Sequence, residues 1–250
     1  MSKRLVAALA CRNQGSRLYA KPMQNLDVTS GIRIIDNIIS CLNTLNCIDE
    51  VVLGISEGID NEVFKVVAEE KGLRYVIGDQ QDVLSRLVSC GQLANATDVF
   101  RVTSESPFLY YNQVIELWER HKLEEADATF MDDVVDGCGF EIISLKSLEE
   151  SHLNGDERHR SELCTLYIRE NSKNYRIIKA SPPNSLVRKD LRLTVDNPED
   201  LVLCRAVYQE LKHQAPKFNI DDIINFLDSK PNLKALVAPY TESGYSTMYL

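Results

Sequence analysis

The chain has 250 residues, 44% of them hydrophobic and 26% charged, enough to bury a full core as one large α/β domain or two small ones. Its 28 Lys+Arg against 37 Asp+Glu give a net charge of −9, which argues against a protein that coats nucleic acid or anionic lipid, since both need a broad basic face. A small anionic ligand held in a local basic pocket stays compatible with that balance.

Short apolar runs alternate with longer amphipathic ones. Residues 5–10 are continuously apolar, the pattern of a strand buried on both faces. Ile32, Ile35, Ile38, Ile39, Leu42 and Leu45 then recur at helical spacing. Residues 51–56 read as a strand, 61–71 as a helix ended by Gly72, and 73–77 as a strand. A helix follows over 83–94, a strand over 98–103, and a helix over 112–125 behind Pro107. Such alternation predicts right-handed crossovers and a mostly parallel sheet with helices on both faces. The second half is less regular. Residues 129–131 and 140–145 are predicted strands, 146–152 a helix, and a charged stretch over 154–162 leads into a helix around 163–169. Residues 175–180 and 191–195 read as strands. Asn197-Pro198-Glu199-Asp200 is a helix start, with a capping Asn, Pro at the first helical position and two acids in the first turn. That helix runs to about Leu211, and another covers 221–228. The polar, Tyr-rich tail after Pro231 is expected on the surface or against another subunit. No repeat and no long linker interrupts the chain, so residues 1–250 are expected to form a single domain.

Seven cysteines are odd in number and contain no C-x-x-C pair, which fits free thiols in a reducing cytoplasm better than a disulfide framework or a zinc site. The start of the chain superficially resembles a signal peptide, but its apolar run of six residues is too short. No segment approaches the ~20 apolar residues of a membrane span. The four histidines show no metal-ligand spacing, and there is no G-x-S-x-G elbow, so nucleophilic catalysis has no support.

Two constellations carry chemistry. Residues 11–21, CRNQGSRLYAK, hold Arg12, Arg17 and Lys21 with no acid. Gly15 permits a tight backbone, and Ser16 adds a hydroxyl donor. This loop follows the first strand, so in an open α/β sheet it lies at the carboxyl edge where ligands bind. Three cations with convergent N–H groups suit a triphosphate, although the loop is neither a Walker A nor a dinucleotide fingerprint. The plainer alternative is a solvated basic loop. The second constellation is a pair of acids, each just beyond a predicted strand: Glu105 after 98–103 and Asp196 after 191–195. If both strands run parallel in one sheet, both acids emerge beside the basic loop. Two hard oxygen ligands beside phosphates are what Mg²⁺ requires. Read singly, Asp196 is more simply a helix cap and Glu105 a surface acid; the pairing with the basic loop favours a phosphoryl-type site.

These motifs resemble those of the cytidylyltransferase family that includes the CMP-KDO and CMP-acylneuraminate synthetases, and most closely its spore-coat polysaccharide branch. The family's R-x-G-S-x-R-L-P-x-K signature is similar to residues 12–21, with one extra residue before the Gly15-Ser16 pair and no Pro. Its D-D-V-L-x-R-Y segment resembles residues 81–87, which carries Asp82 and Arg86 over as nucleotide-holding. R-I-T-G-D-C-P matches residues 101–107, with Glu105 where the family has Asp, and L-R-L-T-V-D-T-P-E-D is nearly complete at residues 191–200. G-L-D-V-E-V and R-E-H-V-T-P-Y-I are matched more weakly at residues 137–142 and 161–168, which keep Glu141, Glu162, Thr165 and Tyr167 but lose an Asp and a His. The resemblance covers about residues 4–212 in the same order, leaving 213–250 as a C-terminal helix and tail.

The resemblance implies a Rossmann-like, glycosyltransferase-A-type α/β fold and a homodimer. It implies CTP as one substrate and an anionic acceptor, such as a KDO- or nonulosonate-like sugar acid, as the other, with CMP transferred and pyrophosphate released for surface polysaccharide synthesis. Arg12 and Lys21 would be catalytic. Arg12, Gly15, Ser16, Arg17, Lys21, Asp82 and Arg86 would bind the nucleotide, Arg101, Glu141 and Glu162 the acceptor, and Glu105 and Asp196 a Mg²⁺ cofactor. The lost acceptor-side residues and the Glu105 replacement leave two alternatives: a non-sugar anion such as a phosphonate as acceptor, or a catalytically weakened paralogue that binds CTP or a CMP-sugar.

Overall fold

A computed structural model describes residues 3–247, with side chains through residue 242. Strand β1 (Leu5–Cys11) is buried along almost its whole length, as its unbroken apolar sequence requires. A loop then leads to a small hairpin, β2 (Asn25–Asp27) and β3 (Ile32–Arg33), that periodicity does not reveal. Ile32 matches the helical spacing of its neighbours, yet Gly31 turns the chain at φ +70° and the helix α1 (Ile34–Leu42) begins only after Arg33. Strand β4 (Glu50–Ser56) follows, then α2 (Val63–Lys71), which ends on Gly72 in the left-handed conformation. Next come β5 (Arg74–Gly78), α3 (Val83–Leu93), β6 (Asp98–Arg101) and α4 (Val114–Leu123).

The second half supplies β7 (Ala128–Met131), β8 (Phe140–Ser144) and α5 (Leu145–Asn154). The charged stretch holds a single helical turn, α6 (Glu157–Arg160), capped by Asp156, and α7 (Leu166–Glu170) succeeds it. Then follow β9 (Ile177–Lys179), α8 (Pro198–Leu211), α9 (Ile220–Asp228) and α10 (Pro231–Thr247). The tail expected on the surface or against another subunit is mostly helix. It packs on α8 and α9 and buries Val237 completely, so it covers this chain's own core. The end of that tail, residues 248–250, lies outside the described residues.

Seven strands form one sheet in the order β5-β4-β1-β6-β8-β7-β9. Only β8 runs antiparallel to its neighbours; the other pairings are parallel. Alternation along β1 sends Leu5, Ala7 and Leu9 to a core beneath α1, α2, α4, α8 and α9, and Val6 and Ala8 to a core beneath α3, α5 and α7. Helices thus cover both faces, as the alternating pattern predicts. Reversal of β8 has a functional consequence: its first residues meet the last residues of β6, with Arg101 opposite Glu141.

One predicted strand is absent. Residues 191–195 make a single bridge, Arg192 to Asp136, and no ladder. Their apolar residues Leu191, Leu193 and Val195 are fully buried, so the alternation that reads as a strand is real. The segment is instead strung between two loops. Leu193 N–H donates to the Asp136 carbonyl at 2.8 Å, and Val195 N–H to the Glu105 carbonyl at 3.2 Å.

Candidate active site

The site lies at the carboxyl edge of the sheet, where β1, β4 and β6 end. The loop after β1 is shaped by its own polar residues. Asn13 N–H donates to Asn61 Oδ1 at 2.8 Å, its side-chain amide donates to the Asp60 carbonyl at 2.5 Å, and Ala20 N–H closes back onto the Asn13 carbonyl at 2.8 Å. At Gly15 a Cβ would stand 2.5 Å from the Leu18 carbonyl oxygen, so this bend requires glycine. Gly15, Ser16 and Arg17 remain exposed.

The loop's cations turn inward. Lys21 Nζ donates to Asp196 Oδ1 at 2.5 Å, and Arg17 lies 3.4 Å from the same oxygen. Arg12 leans the other way and pairs with Glu162 at 3.2 Å. Asp196 also accepts from Arg192, which pairs in addition with Asp136 at 3.0 Å and Asp200 at 3.2 Å. Burial alone would push the Asp196 carboxyl up, but Lys21, Arg192 and Arg17 more than offset it and hold it below the ordinary value. The alternative role of Asp196 as a cap is taken by its neighbours: Asp200 Oδ2 accepts from Asn197 N–H at 2.8 Å and completes the capping box with Asn197.

Glu105 is partly buried rather than a surface acid. Burial raises its pKa; Lys21 opposes that, while the charge of Asp196 reinforces it. The charges of the two carboxylates predicted as a pair therefore act on each other, with Lys21 opposing. Their strands do not bring them together, because β6 stops at Arg101 and residues 191–195 are not a strand. The Val195–Glu105 backbone bond does so instead. No cluster of three or more His, Cys, Asp and Glu with metal-holding geometry occurs among the described residues. A magnesium ion that takes phosphate oxygens and water for its remaining positions needs only one or two carboxylates, and the hard oxygens of Glu105 and Asp196 suit it.

Two adjoining cavities open here. The smaller, about 80 Å³, is lined by Arg12, Arg86, Arg101, Ser104, Glu105 and Glu162 among others. Arg86 is almost fully buried; its guanidinium donates to the Gly54 carbonyl at 2.9 Å and the Cys11 carbonyl at 3.3 Å, and its Nε has no hydrogen-bond partner among the described residues. Gly78 makes room for it, since a Cβ there would stand 2.8 Å from Arg86 Cγ. Asp82, predicted beside it, caps α3 through Ser85 N–H at 2.8 Å and pairs with His152 at 2.7 Å; it lines neither cavity.

The larger cavity, about 460 Å³, lies between β6, the start of β8 and the 191–196 segment. Arg101 and Glu141 form its wall, joined at 2.6 Å. Glu141 also accepts from Thr165 at 2.7 Å and Arg169 at 2.8 Å. Burial disfavours its charge, yet Arg101 and Arg169 bring its pKa down to about 2. Glu162, with its side chain 71% exposed, stands at the mouth. Four contributors were not among the residues expected at the site: Asp136, Arg169, Arg192 and Asp200, the last read only as part of a helix start. Arg192 carries a legible signal, since a charged residue inside the alternation L-R-L-T-V faces away from the core. Arg169 carries none, because only the fold sets it over the Phe130 ring at 3.7 Å.

No family model matches the chain. It is 24% identical over 185 residues to the spore coat polysaccharide biosynthesis protein SpsF of Bacillus subtilis, covering 74% of this chain and 77% of that protein. A cytidylyltransferase of Leptospira borgpetersenii superposes with a TM-score of 0.82 at 16% identity, over 93% of this chain and 97% of that one. The CMP:2-keto-3-deoxy-manno-octonic acid synthetase complexed with CTP superposes with a TM-score of 0.61 at 15% identity, over 84% and 100%. By fold the chain is a Rossmann-like nucleotidyltransferase-type α/β protein, similar to those two cytidylyl-transferring structures, and its sequence is similar to that of the Bacillus spore-coat protein.

Proposed function

We propose that this protein is a cytidylyltransferase that transfers CMP from CTP to a hydroxyl group of an acceptor and releases pyrophosphate. The observation that carries the reading is the convergence of Lys21 and Arg17 on Asp196, beside Glu105, where two cavities meet at the carboxyl edge of the sheet. Arg12, Arg17 and Lys21 would exchange their carboxylate partners for triphosphate oxygens, and the exposed backbone at Gly15 and Ser16 would add N–H donors. Arg86 would hold the nucleoside from the smaller cavity, with Asp82 fixing the start of the helix that carries it. Arg101, Glu141 and Glu162 would orient the acceptor. In-line attack on the α-phosphorus needs positioning and charge neutralisation rather than a covalent intermediate. Glu105 and Asp196 would hold Mg²⁺, which when bound neutralises phosphate charge and stabilises the leaving group.

No helix among the described residues is long and apolar enough to cross a membrane, and the seven free cysteines support a reducing, cytoplasmic setting. The likeness to the Bacillus spore-coat protein supports a product destined for surface polysaccharide, and the family resemblance supports a homodimer, to be checked by light scattering.

The test is to supply the protein with each of the four nucleoside triphosphates, Mg²⁺ and a mixed sugar pool, then to follow pyrophosphate and new nucleotide-adduct masses. CMP adducts are expected from CTP alone. Adducts of UMP or GMP would overturn the base assignment, and CTP binding with no adduct would favour the weakened paralogue.

A further inference from the structure

The loop after β1 closes on itself through the Ala20–Asn13 backbone bond, and its place on the sheet edge is set from one side. Among the described residues, the hydrogen bonds from Asn13 and Gln14 to other segments all end at Asp60 or Asn61. Both lie in a single 3₁₀ turn, Ile59–Asn61, that follows β4. That turn is itself fixed. Asn61 N–H donates to the Gly58 carbonyl at 3.0 Å, and Glu57 N–H to the Gly78 carbonyl, at the end of β5, at 2.9 Å. Asn61 thus joins the edge formed by β4 and β5 to the loop that carries Arg12, Arg17 and Lys21.

Asn61 is 1% exposed and uses both ends of its amide. Its Oδ1 accepts the Asn13 N–H at 2.8 Å, and its Nδ2 donates to the Glu57 carbonyl at 3.1 Å and to Gln14 Oε1 at 3.2 Å. A backbone N–H on one side and a backbone carbonyl on the other dictate which end of the amide faces which partner. Alanine at this position would strip both backbone groups of that partner, and a carboxylate would set an oxygen against the Glu57 carbonyl. Asn13 is gripped a second time through its own amide, which donates to the Asp60 carbonyl, while its buried Oδ1 has no hydrogen-bond partner among the described residues. A buried acceptor left unpaired is destabilising, so the fold keeps this attachment at a cost in stability. The residue that the loop has in excess of the R-x-G-S pattern falls within Asn13-Gln14, the pair that Asn61 holds.

We infer that Asn61 is a positioning residue for nucleotide binding: acting through Asn13 and Gln14, it sets where the Gly15-Ser16 backbone and the Arg17 and Lys21 charges meet the triphosphate. This rests on the reading of that loop as the triphosphate site. Asn61 lines neither cavity, so its effect is indirect. The bend at Gly15 follows Gln14 immediately, and a shift of Asn13 therefore passes straight to the exposed N–H groups at Gly15 and Ser16. A misplacement of about 1 Å in groups that must converge on a ligand is enough to lose on the order of a hundredfold in function.

The experiment measures binding of CTP, inorganic tripolyphosphate and CMP by calorimetry, with Mg²⁺ present, to the full chain and to its Asn61→Ala and Gln14→Ala variants. Asn61→Ala is expected to weaken CTP and tripolyphosphate by about tenfold or more and CMP by less than about threefold, because the loss follows the phosphates that the loop grips. Gln14→Ala removes one bond from a half-buried side chain, and it is expected to weaken CTP by roughly two- to fivefold with its melting temperature unchanged. A general loosening of the fold would weaken CTP and CMP by the same factor. That result overturns the inference, and so does CTP affinity in Asn61→Ala equal to that of the parent. If Asn61→Ala does not fold, Gln14→Ala decides: an unchanged preference for CTP over CMP overturns the inference, and a reduced preference upholds it. A parent chain that binds neither CTP nor tripolyphosphate overturns instead the reading of the loop beneath it.

Discussion

Asp196 shows how one residue can be read two ways until its neighbours are known. In the sequence it is a helix cap or a ligand; in the fold Asn197 and Asp200 make the cap, and Asp196 is left to face Lys21, Arg17 and Arg192. Asp196→Asn should therefore lower turnover by roughly a hundredfold or more, read as pyrophosphate release. Its melting temperature should stay close to that of the parent, because Arg192 keeps Asp136 and Asp200. Glu141 lends itself to a pH test. Its folded pKa of about 2 lies below the ordinary 4.5, so the stabilisation is fully present above pH 4.5 and is lost as pH falls towards 2. By that linkage the ionised group contributes about 3 kcal/mol at neutral pH. Glu141→Gln is expected to lower stability by about that amount at pH 7 and by much less near pH 2.5, as measured by urea midpoints. An equal loss at both pH values would sink the assignment.

Among the elements, the 191–195 segment decides the site although it belongs to no sheet. Its position depends on a close backbone approach at Gly137, where φ is +88° and a Cβ would stand 2.4 Å from Thr194 N. Gly137→Ala combines a disfavoured conformation with a backbone clash, and a loss of at least about 2 kcal/mol is expected in chemical denaturation. Activity should fall further than stability explains, since the same segment carries Arg192 and Asp196. Retained activity with unchanged stability would show that the segment tolerates displacement. Strands β1 and β4 and helices α2, α3 and α8 were legible because apolar runs, helical spacing, Gly72 and the Asn197-Pro198 start act locally. The β2–β3 hairpin was not, since Ile32 continues the periodicity of α1, and neither was the bridge-only state of 191–195, whose alternation is that of a strand.

For the molecule as a whole, binding must show as stabilisation. A nucleotide at a hundred times its dissociation constant adds about 2.7 kcal/mol, which for a chain of this size corresponds to a rise in melting temperature of roughly 5–10 °C. CTP with Mg²⁺ should produce that rise, and UTP, GTP and ATP at equal concentration much less. Equal shifts with all four would remove cytosine recognition from the smaller cavity. The net charge of −9 is unevenly spread: the loop after β1 is basic, and its Arg12, Arg17 and Lys21 pair with the carboxylates Glu162 and Asp196 that line the larger cavity.

The sequence by itself determined the layered α/β plan, the basic loop, and the presence of Glu105 and Asp196 as candidate partners. Each of those rests on information carried by neighbouring residues: periodicity, capping and local charge. Only the tertiary structure decided that Glu105 and Asp196 meet through a backbone bond rather than parallel strands. It also decided that Asp82 is committed to a helix cap and His152, and that Arg101, Arg169 and Arg192 are already paired with carboxylates. Those outcomes depend on which side chains from distant segments share one low-dielectric space, and charge pairing there is set by three-dimensional proximity that no local pattern encodes.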